Sequence, residues 1–122
     1  MNGFVLAAVG GAIGAAGRYG VGLWAARAFG ASLPWGTLMV NVAGGLAMGL
    51  LVGLMTLENR ALHVLLGVGV LGGFTTFSAF SIELVRMIEA GQTGQAGLYA
   101  LGSVVAATAA CFAGLWIGRV LS

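Results

Sequence analysis

The sequence predicts an all-α integral membrane protein of four transmembrane helices, and three observations support this fold class. Of the 122 residues, 60% are hydrophobic and only 7% are charged, whereas a soluble domain carries about a quarter charged residues. Apolar runs long enough to cross a bilayer alternate with short polar connections. The 23 glycines are typical of membrane helices packed backbone to backbone. We expect a single transmembrane domain over residues 1–122, with spans at about 4–26, 35–57, 61–88 and 97–117.

The composition argues against several functional classes. The formal net charge of +2 is spread over separate loops, so it does not form the basic patch of a nucleic-acid-binding protein. Cys111 is the single cysteine, which leaves neither an intrachain disulfide nor a thiolate metal cluster. The sequence contains no recognisable nucleophile–base set or phosphate-binding loop. We therefore expect that the protein is not an enzyme.

The first span contains a small-residue face and one charge. Gly10 and Gly14 are four residues apart, which places both on a face suited to close helix packing. Arg18 lies late in the same span, where a charge costs about 2.5–3.5 kcal/mol on insertion scales unless it reaches the interface. Arg18 either extends to the membrane surface or attracts anions into a water-filled vestibule, and the sequence leaves both interpretations open.

The second span carries one amide among apolar residues. Gly45, Gly49 and Gly53 recur every four residues and predict a tight packing face. Asn41 is the only amide in this span. It either forms an interhelical hydrogen bond, worth roughly 0.6–2 kcal/mol in a membrane, or donates an N–H to a passing anion.

The third span contains the most informative stretch, Gly72-Gly73-Phe74-Thr75-Thr76-Phe77-Ser78-Ala79-Phe80-Ser81. Each glycine lowers helix stability by about 1 kcal/mol relative to alanine, and threonine hydroxyls compete for backbone hydrogen bonds. An unwound segment in a membrane is tolerated only where it is buried in protein or lines a wet cavity. Broken membrane helices commonly hold cations with freed carbonyls and face anions with amide ends. This stretch therefore predicts a helix broken mid-membrane and an ion site.

Polar residues after the break extend this prediction. Glu83 is the acid nearest to the stretch, and it either pairs with Arg86 three residues away or stands at the mouth of an ion pathway. In the fourth span, Tyr99 and Ser103 are four residues apart and share a face. Their hydroxyls either join helices or supply donors to an anion that has lost its hydration shell. The next position at this four-residue spacing is Ala107, which has no hydroxyl, so the row of hydroxyl side chains is interrupted there.

The arginines in the loops predict how the chain inserts. Arg27 and Arg86 lie on one side of the membrane, and Arg60 and Arg119 lie on the other. Because cytoplasmic loops normally carry the excess of positive charge, this balance predicts insertion in both orientations. Two oppositely inserted copies can then pair about a two-fold axis in the membrane plane. Four packed helices leave little lumen, so we expect the pathway to run between subunits.

The stretch in the third of four short spans resembles the Gly-Gly-x-Thr-Thr-Phe-Ser-x-Phe-Ser signature of the Fluc (CrcB) fluoride channels. The resemblance implies a passive, fluoride-selective channel that exports cytoplasmic fluoride and so lowers its toxicity. It also implies a multi-pass protein of the cell (inner or plasma) membrane that forms an antiparallel, dual-topology homodimer. In that family the dimer has two pores and a central structural sodium ion.

The resemblance assigns residues to these roles. The two phenylalanines after the threonine pair would line the route with the positive edges of their rings, and Phe74 falls at a position that the motif leaves variable. The implied fluoride pathway comprises Asn41, Thr76, Phe77, Ser78, Phe80, Tyr99 and Ser103. Arg18 and Glu83 are vestibule candidates, and the backbone carbonyls of Gly72 and Thr75 would hold Na⁺.

Two other functions remain to be weighed against the channel. A small multidrug-resistance-type, proton-coupled exporter also has four spans, but it needs a membrane-embedded acid, usually in the first span. This first span has none. A helical subunit that only scaffolds a larger complex would show no ion flux as a purified chain. The channel is the leading hypothesis.

Overall fold

The computed structural model describes residues 2–55 and 59–122. The helical elements, in chain order, are α1 (Gly3–Phe29), α2 (Trp35–Leu54), α3 (Arg60–His63), the π-helical segment π1 (Val64–Leu71), α4 (Gly72–Phe74), α5 (Ser78–Glu89) and α6 (Thr93–Leu121). Elements α3 to α5 together make one span, Arg60–Glu89, so within these described ranges four helices are long and apolar enough to cross a membrane. The predicted all-helical, four-span chain is confirmed. The predicted end of the second span, at residue 57, lies outside the described residues.

Helices α2 and α6 pack together through glycines. A Cβ atom built on Gly45 would lie 2.8 Å from the carbonyl oxygen of Ala107, and one on Gly53 would lie 2.6 Å from that of Leu115. Real Cβ atoms do not approach backbone atoms so closely, and therefore only glycine fits here. The small-residue face predicted for the second span is confirmed, and its partner is the fourth helix.

Helix α1 packs in the same way on the first half of the third span. A Cβ atom on Gly10 would lie 2.8 Å from the Cα atom of Gly69, and one on Gly14 would lie 2.8 Å from the backbone nitrogen of Phe74. From the other side, a Cβ atom on Gly73 would lie 2.6 Å from the carbonyl oxygen of Gly11. The predicted face of the first span therefore contacts π1 and α4.

The predicted interruption of the third span is confirmed at Thr75, near the middle of Arg60–Glu89. Thr75 has an extended backbone with φ −85° and ψ 159°, and the helix resumes at Ser78. Gly72 and Gly73 themselves remain helical in α4. Gly73 packs against α1, and the chain leaves the helix two residues later, at Thr75.

The helix before the break is wider than an ordinary α-helix, which the sequence did not predict. Residues Val64–Leu71 are π-helical, and the backbone N–H of Gly72 donates to the carbonyl of Gly67, five residues earlier. Such π segments are rare and occur often at functional sites. Here the π segment leads directly into the broken stretch.

Candidate functional site

The side-chain amide of Asn41 holds the backbone of Thr76. The Nδ2 atom of Asn41 donates to the carbonyl oxygen of Thr76 at 2.9 Å, and the backbone N–H of Thr76 donates to Oδ1 of Asn41 at 2.8 Å. An amide group has two donors and one acceptor oxygen, so one N–H of Asn41 is left for another partner. The interhelical hydrogen bond considered from the sequence is present, and it joins α2 to the break.

The hydroxyl of Thr76 caps the second half of the span. Its Oγ1 atom accepts the backbone N–H of Ala79 at 3.1 Å and lies 3.3 Å from Oγ of Ser78. A threonine that accepts the N–H three residues later is a typical N-terminal cap. Ser81, one turn further, donates its hydroxyl to the carbonyl of Phe77 at 2.8 Å. The Thr76 hydroxyl therefore takes the Ala79 N–H, which a continuous helix would direct to the carbonyl of Thr75.

The arrangement takes away the donors that a helix would direct to the carbonyls of Gly72 and Thr75. In a continuous α-helix the N–H of Thr76 would bond to the carbonyl of Gly72, and that of Ala79 to the carbonyl of Thr75. Both donors bond instead to side-chain oxygens, those of Asn41 and Thr76. A hard monovalent cation prefers oxygen ligands, and unwound carbonyls supply them in membrane proteins. The two residues predicted to hold sodium therefore fit that ion.

A cleft of about 240 Å³ opens beside the break. It gathers residues from α2, the broken stretch, α5 and α6, and its lining is Asn41, Thr75, Thr76, Phe77, Phe80, Ser103, Val104 and Ala107. Five of the seven residues predicted for the pathway are in this list. Ala107, which interrupts the four-residue spacing of hydroxyls on α6, also lines the cleft and contributes a methyl group.

Three aromatic rings follow one another from the cleft. The ring centroids of Phe77 and Phe80 are 5.7 Å apart, and those of Phe80 and Tyr99 are 5.2 Å apart, with tilted planes in both pairs. Phe80 is 6% exposed, whereas Phe77 is 77% exposed. The outer ring therefore lies on the surface of this chain and the inner ring is packed between α5 and α6.

The hydroxyl of Ser103 is buried without a hydrogen-bond partner among residues 2–55 and 59–122. It lines the cleft together with Phe80 and Thr76. Buried polar groups are normally hydrogen-bonded, and each exception calls for an explanation. An orphan donor in a small cleft is suited to an anion or a water molecule.

Glu83 accepts two hydroxyl hydrogen bonds. Thr37 donates to Oε2 at 2.6 Å and Tyr99 donates to Oε1 at 2.9 Å. Glu83, Thr37 and Arg86 also line a second cavity of about 380 Å³ at the loop end of the molecule. Glu83 thus lies between the aromatic row formed by Phe77, Phe80 and Tyr99 and this second cavity, which we call the outer cavity. Its carboxylate accepts from the two hydroxyls, whereas a pair with Arg86 was one of the two interpretations of the sequence.

Thr37 was not predicted as a site residue. Its position relative to Asn41 is the signal that would have found it, because the two are four residues apart in an apolar helix and so share a face. A second polar residue on the face of a functional amide is a candidate for the same pathway. The structure places Thr37 beside Glu83 and Asn41 beside the break.

Arg18 is directed toward the break. Its Nε atom donates to the carbonyl oxygen of Gly73 at 3.4 Å, and it lines a cavity of about 220 Å³ together with Thr37 and Thr76. Arg18 therefore contacts the first part of the broken stretch, and its role as a vestibule residue stays a prediction.

Comparison with known proteins identifies a well-populated family. The family model described as "CrcB-like protein, Camphor Resistance (CrcB)" matches residues 5–115. The chain is 54% identical over 123 residues to a protein of Hyphomonas neptunium named "Fluoride-specific ion channel FluC", with 98% of this chain and 97% of the relative covered. Proteins with the same name from Caulobacter sp. (strain K31) and Agrobacterium fabrum are 51% and 48% identical, with 98% and 99% of this chain and 96% and 99% of each relative covered.

Proposed function

This chain belongs to the CrcB family, and on that premise we propose that it is a fluoride-selective channel that exports cytoplasmic fluoride by passive diffusion. A multi-pass membrane protein whose relatives are named as ion channels is consistent with this activity and not with an enzyme. The observation that carries the proposal is the cleft at the break, where polar side chains from α2, the broken stretch and α6 meet. Lowering fluoride toxicity is the expected consequence for the cell.

The cleft supplies replacements for the water that fluoride loses. Moving an anion out of water is costly unless hydrogen bonds compensate, and channels are selective when their lining takes over the hydration shell. The second N–H of Asn41 and the orphan hydroxyl of Ser103 are donors of this kind. The rest of the cleft lining is mostly apolar, so these donors are the polar groups available to an anion there.

The aromatic row continues the pathway from the cleft. Aromatic rings are positive at their edges, so rings with tilted planes can pass an anion along without holding it tightly. Phe77, Phe80 and Tyr99 are spaced at 5.7 and 5.2 Å. Weak, successive contacts suit conduction, because an ion must leave each site as easily as it enters.

The hydroxyls of Thr37 and Tyr99, which contact Glu83, lie between the aromatic row and the outer cavity. Thr37 and Tyr99 donate to the carboxylate at rest, and a hydroxyl hydrogen rotates to suit its acceptor. Fluoride arriving beside Phe80 would compete with the carboxylate for these same donors. The two hydroxyls would thus turn from Glu83 to the ion and back, while the carboxylate keeps them oriented between ions.

The active assembly in this proposal is an antiparallel, dual-topology homodimer in the cell inner membrane. The balance of Arg27 and Arg86 against Arg60 and Arg119 favours both orientations. The Gly72 and Thr75 carbonyls of both copies would hold a structural sodium ion, which would balance the partial negative charge of these oxygens. No observation favours the proton-coupled exporter, since α1 contains no acidic residue.

A growth assay tests the channel in cells. In a bacterial strain made fluoride-sensitive by deletion of its own exporters, expression of this chain should restore growth in fluoride medium. Phe80→Ile, expressed to the same level in the membrane, is the matched control and should not restore it. Equal growth with and without the wild-type chain would contradict the proposed function.

Topology is tested separately. With Cys111 replaced by alanine and a cysteine introduced in place of Ser122, a membrane-impermeant maleimide applied to intact cells should label about half of the chains, as expected for a pair related by a two-fold axis in the membrane plane. Lysis should make the remainder accessible. Labelling of all chains or of none before lysis would mean a single orientation.

A further inference from the structure

We propose that Asn41 and the Thr76 hydroxyl are positioning residues for the cation site, because they keep the carbonyls of Gly72 and Thr75 out of helical hydrogen bonds. The inference rests on the proposed function, of which the sodium ion is a part. It gives Asn41 a second task besides lining the anion cleft. It also explains how a helix with all of its backbone donors present remains broken.

The break is not enforced by the covalent chain. Proline removes a backbone donor and so frees a carbonyl one turn earlier, but the one proline of this sequence is Pro34. Thr76 and Ala79 both carry an N–H, and these are the donors that a continuous helix would direct to Gly72 and Thr75. An unpaired carbonyl in an apolar environment is costly, so the helical bonds would re-form unless each donor had a better partner.

Each donor has such a partner in the structure. Oδ1 of Asn41 takes the N–H of Thr76 at 2.8 Å, and Oγ1 of Thr76 takes the N–H of Ala79 at 3.1 Å. The carbonyl of Gly73, which lies between the two proposed ligands, receives Nε of Arg18 at 3.4 Å. Side chains thus decide which carbonyls of the break stay available to a cation.

The same side chains link the two ion sites. Asn41 and Thr76 both line the cleft proposed for the anion, while their acceptor oxygens hold the donors away from the cation ligands. For Asn41 the two tasks use different atoms: Oδ1 serves the cation site and the free N–H of Nδ2 serves the cleft. This separation makes the inference testable by substitutions that remove one atom's function and keep the other's.

Two matched pairs of variants isolate the acceptor oxygens. Asn41→Leu removes the acceptor and the amide donor but keeps the branched shape of the side chain, whereas Asn41→Asp loses the donor and keeps an acceptor oxygen. Thr76→Val removes the hydroxyl at constant shape, whereas Thr76→Ser keeps it. Full-length protein is purified in N-methylglucamine buffer without sodium, and the thermal unfolding of the detergent-solubilised protein is followed as NaCl is added, with N-methylglucamine chloride at equal ionic strength as the reference.

The expected result is a sodium-dependent rise in Tm for the wild-type protein, Asn41→Asp and Thr76→Ser. For Asn41→Leu and Thr76→Val the sodium concentration at half-maximal stabilisation should rise by about tenfold or more, the equivalent of one competing hydrogen bond. Asn41→Asp should in addition lose fluoride flux in liposomes, because its charge repels the anion. Asn41→Asp would then keep the rise in Tm with sodium while losing fluoride flux.

The inference is overturned if Asn41→Leu and Thr76→Val respond to sodium as the wild-type protein does, or if Asn41→Asp and Thr76→Ser lose the response equally. Should Asn41→Leu fail to fold, the Thr76 pair decides alone. A wild-type protein that conducts fluoride but shows no stabilisation by sodium overturns the cation site and this inference together, and leaves the channel proposal standing. Absence of fluoride flux in a sodium-stabilised wild-type protein would instead contradict the channel and leave the positioning role supported.

Discussion

The ring centroids of Phe80 and Tyr99 lie 5.2 Å apart, with the rings tilted by 54°. This contact joins the second half of the broken span to the fourth helix. It also joins the two parts of the candidate pathway, since Phe80 lines the cleft and Tyr99 donates to Glu83. Substitutions on either side of this contact therefore test different steps of the same route.

Phe80→Ile should abolish fluoride flux and leave the dimer intact. Isoleucine keeps most of the apolar volume at this 6% exposed position but has no ring edge to face an anion. The measurement is fluoride efflux from liposomes together with size-exclusion chromatography of the purified variant. Phe112→Ile, a 70% exposed phenylalanine on α6 outside the residues that line the cleft, is the control, and full flux through Phe80→Ile would exclude the aromatic route.

Ser103→Ala should lower fluoride flux without lowering stability. Since the hydroxyl has no partner among the described residues, its removal sacrifices no hydrogen bond in the resting protein, and replacing an unsatisfied buried group with an apolar one is neutral or stabilising. Loss of one donor to the ion should cost roughly tenfold in flux, the equivalent of about 1.4 kcal/mol. A drop in Tm with unchanged flux would mean that Ser103 serves the packing of α6 alone.

Tyr99→Phe should slow fluoride release while preserving the ring contact with Phe80. The variant removes the hydroxyl that donates to Oε1 of Glu83, and one fewer donor then remains for a passing ion. Thr37→Val removes the other donor to the same carboxylate. If the two hydroxyls act together, efflux rates of the two single variants and the double variant should be non-additive, whereas strictly additive effects would separate Thr37 from the route.

Gly114→Ala should destabilise the folded chain by about 1–3 kcal/mol, the usual cost of overpacking. A Cβ atom there would meet the carbonyl of Leu46 and lie 2.8 Å from the nitrogen of Leu50, and backbone atoms cannot give way. Gly94→Ala on the same helix is the control, because a Cβ atom at Gly94 meets nothing within 4 Å. Thermal unfolding in detergent compares the two, and equal Tm values would contradict the close packing of α2 and α6.

The fold was predictable because its main signals are local. Apolar run length predicts the four spans, and glycines spaced by four predict the faces that pack. The π-helical segment Val64–Leu71 was not predictable, because its residues are ordinary apolar ones and its wider turn has no composition signal. The exact position of the break also depends on tertiary contacts, since Gly73 stays helical against α1 while Thr75 leaves the helix.

The sequence predicted which residues belong to the candidate site, but it did not predict which of them hydrogen-bond to one another. The single amide of the second span, the motif and the four-residue spacing of hydroxyls on the fourth span predicted Asn41, Phe80 and Ser103, respectively. The structure brings these three residues into one cleft. The partners could not be read from the sequence, because hydrogen bonds such as those of Asn41 with Thr76 join residues 35 positions apart. Thr37 was missed for the same reason, since its partner Glu83 lies on another span.

The measurement that tests the central claim most directly is anion efflux from liposomes that contain the purified chain. Vesicles loaded with fluoride or with chloride are diluted into salt of an impermeant anion, the membrane potential is released with valinomycin, and the external anion is followed with ion-selective electrodes. Rapid fluoride release with negligible chloride release is the predicted result. Release of neither ion by a folded dimer would contradict the channel and favour a scaffolding subunit, and equal release of both would contradict fluoride selectivity.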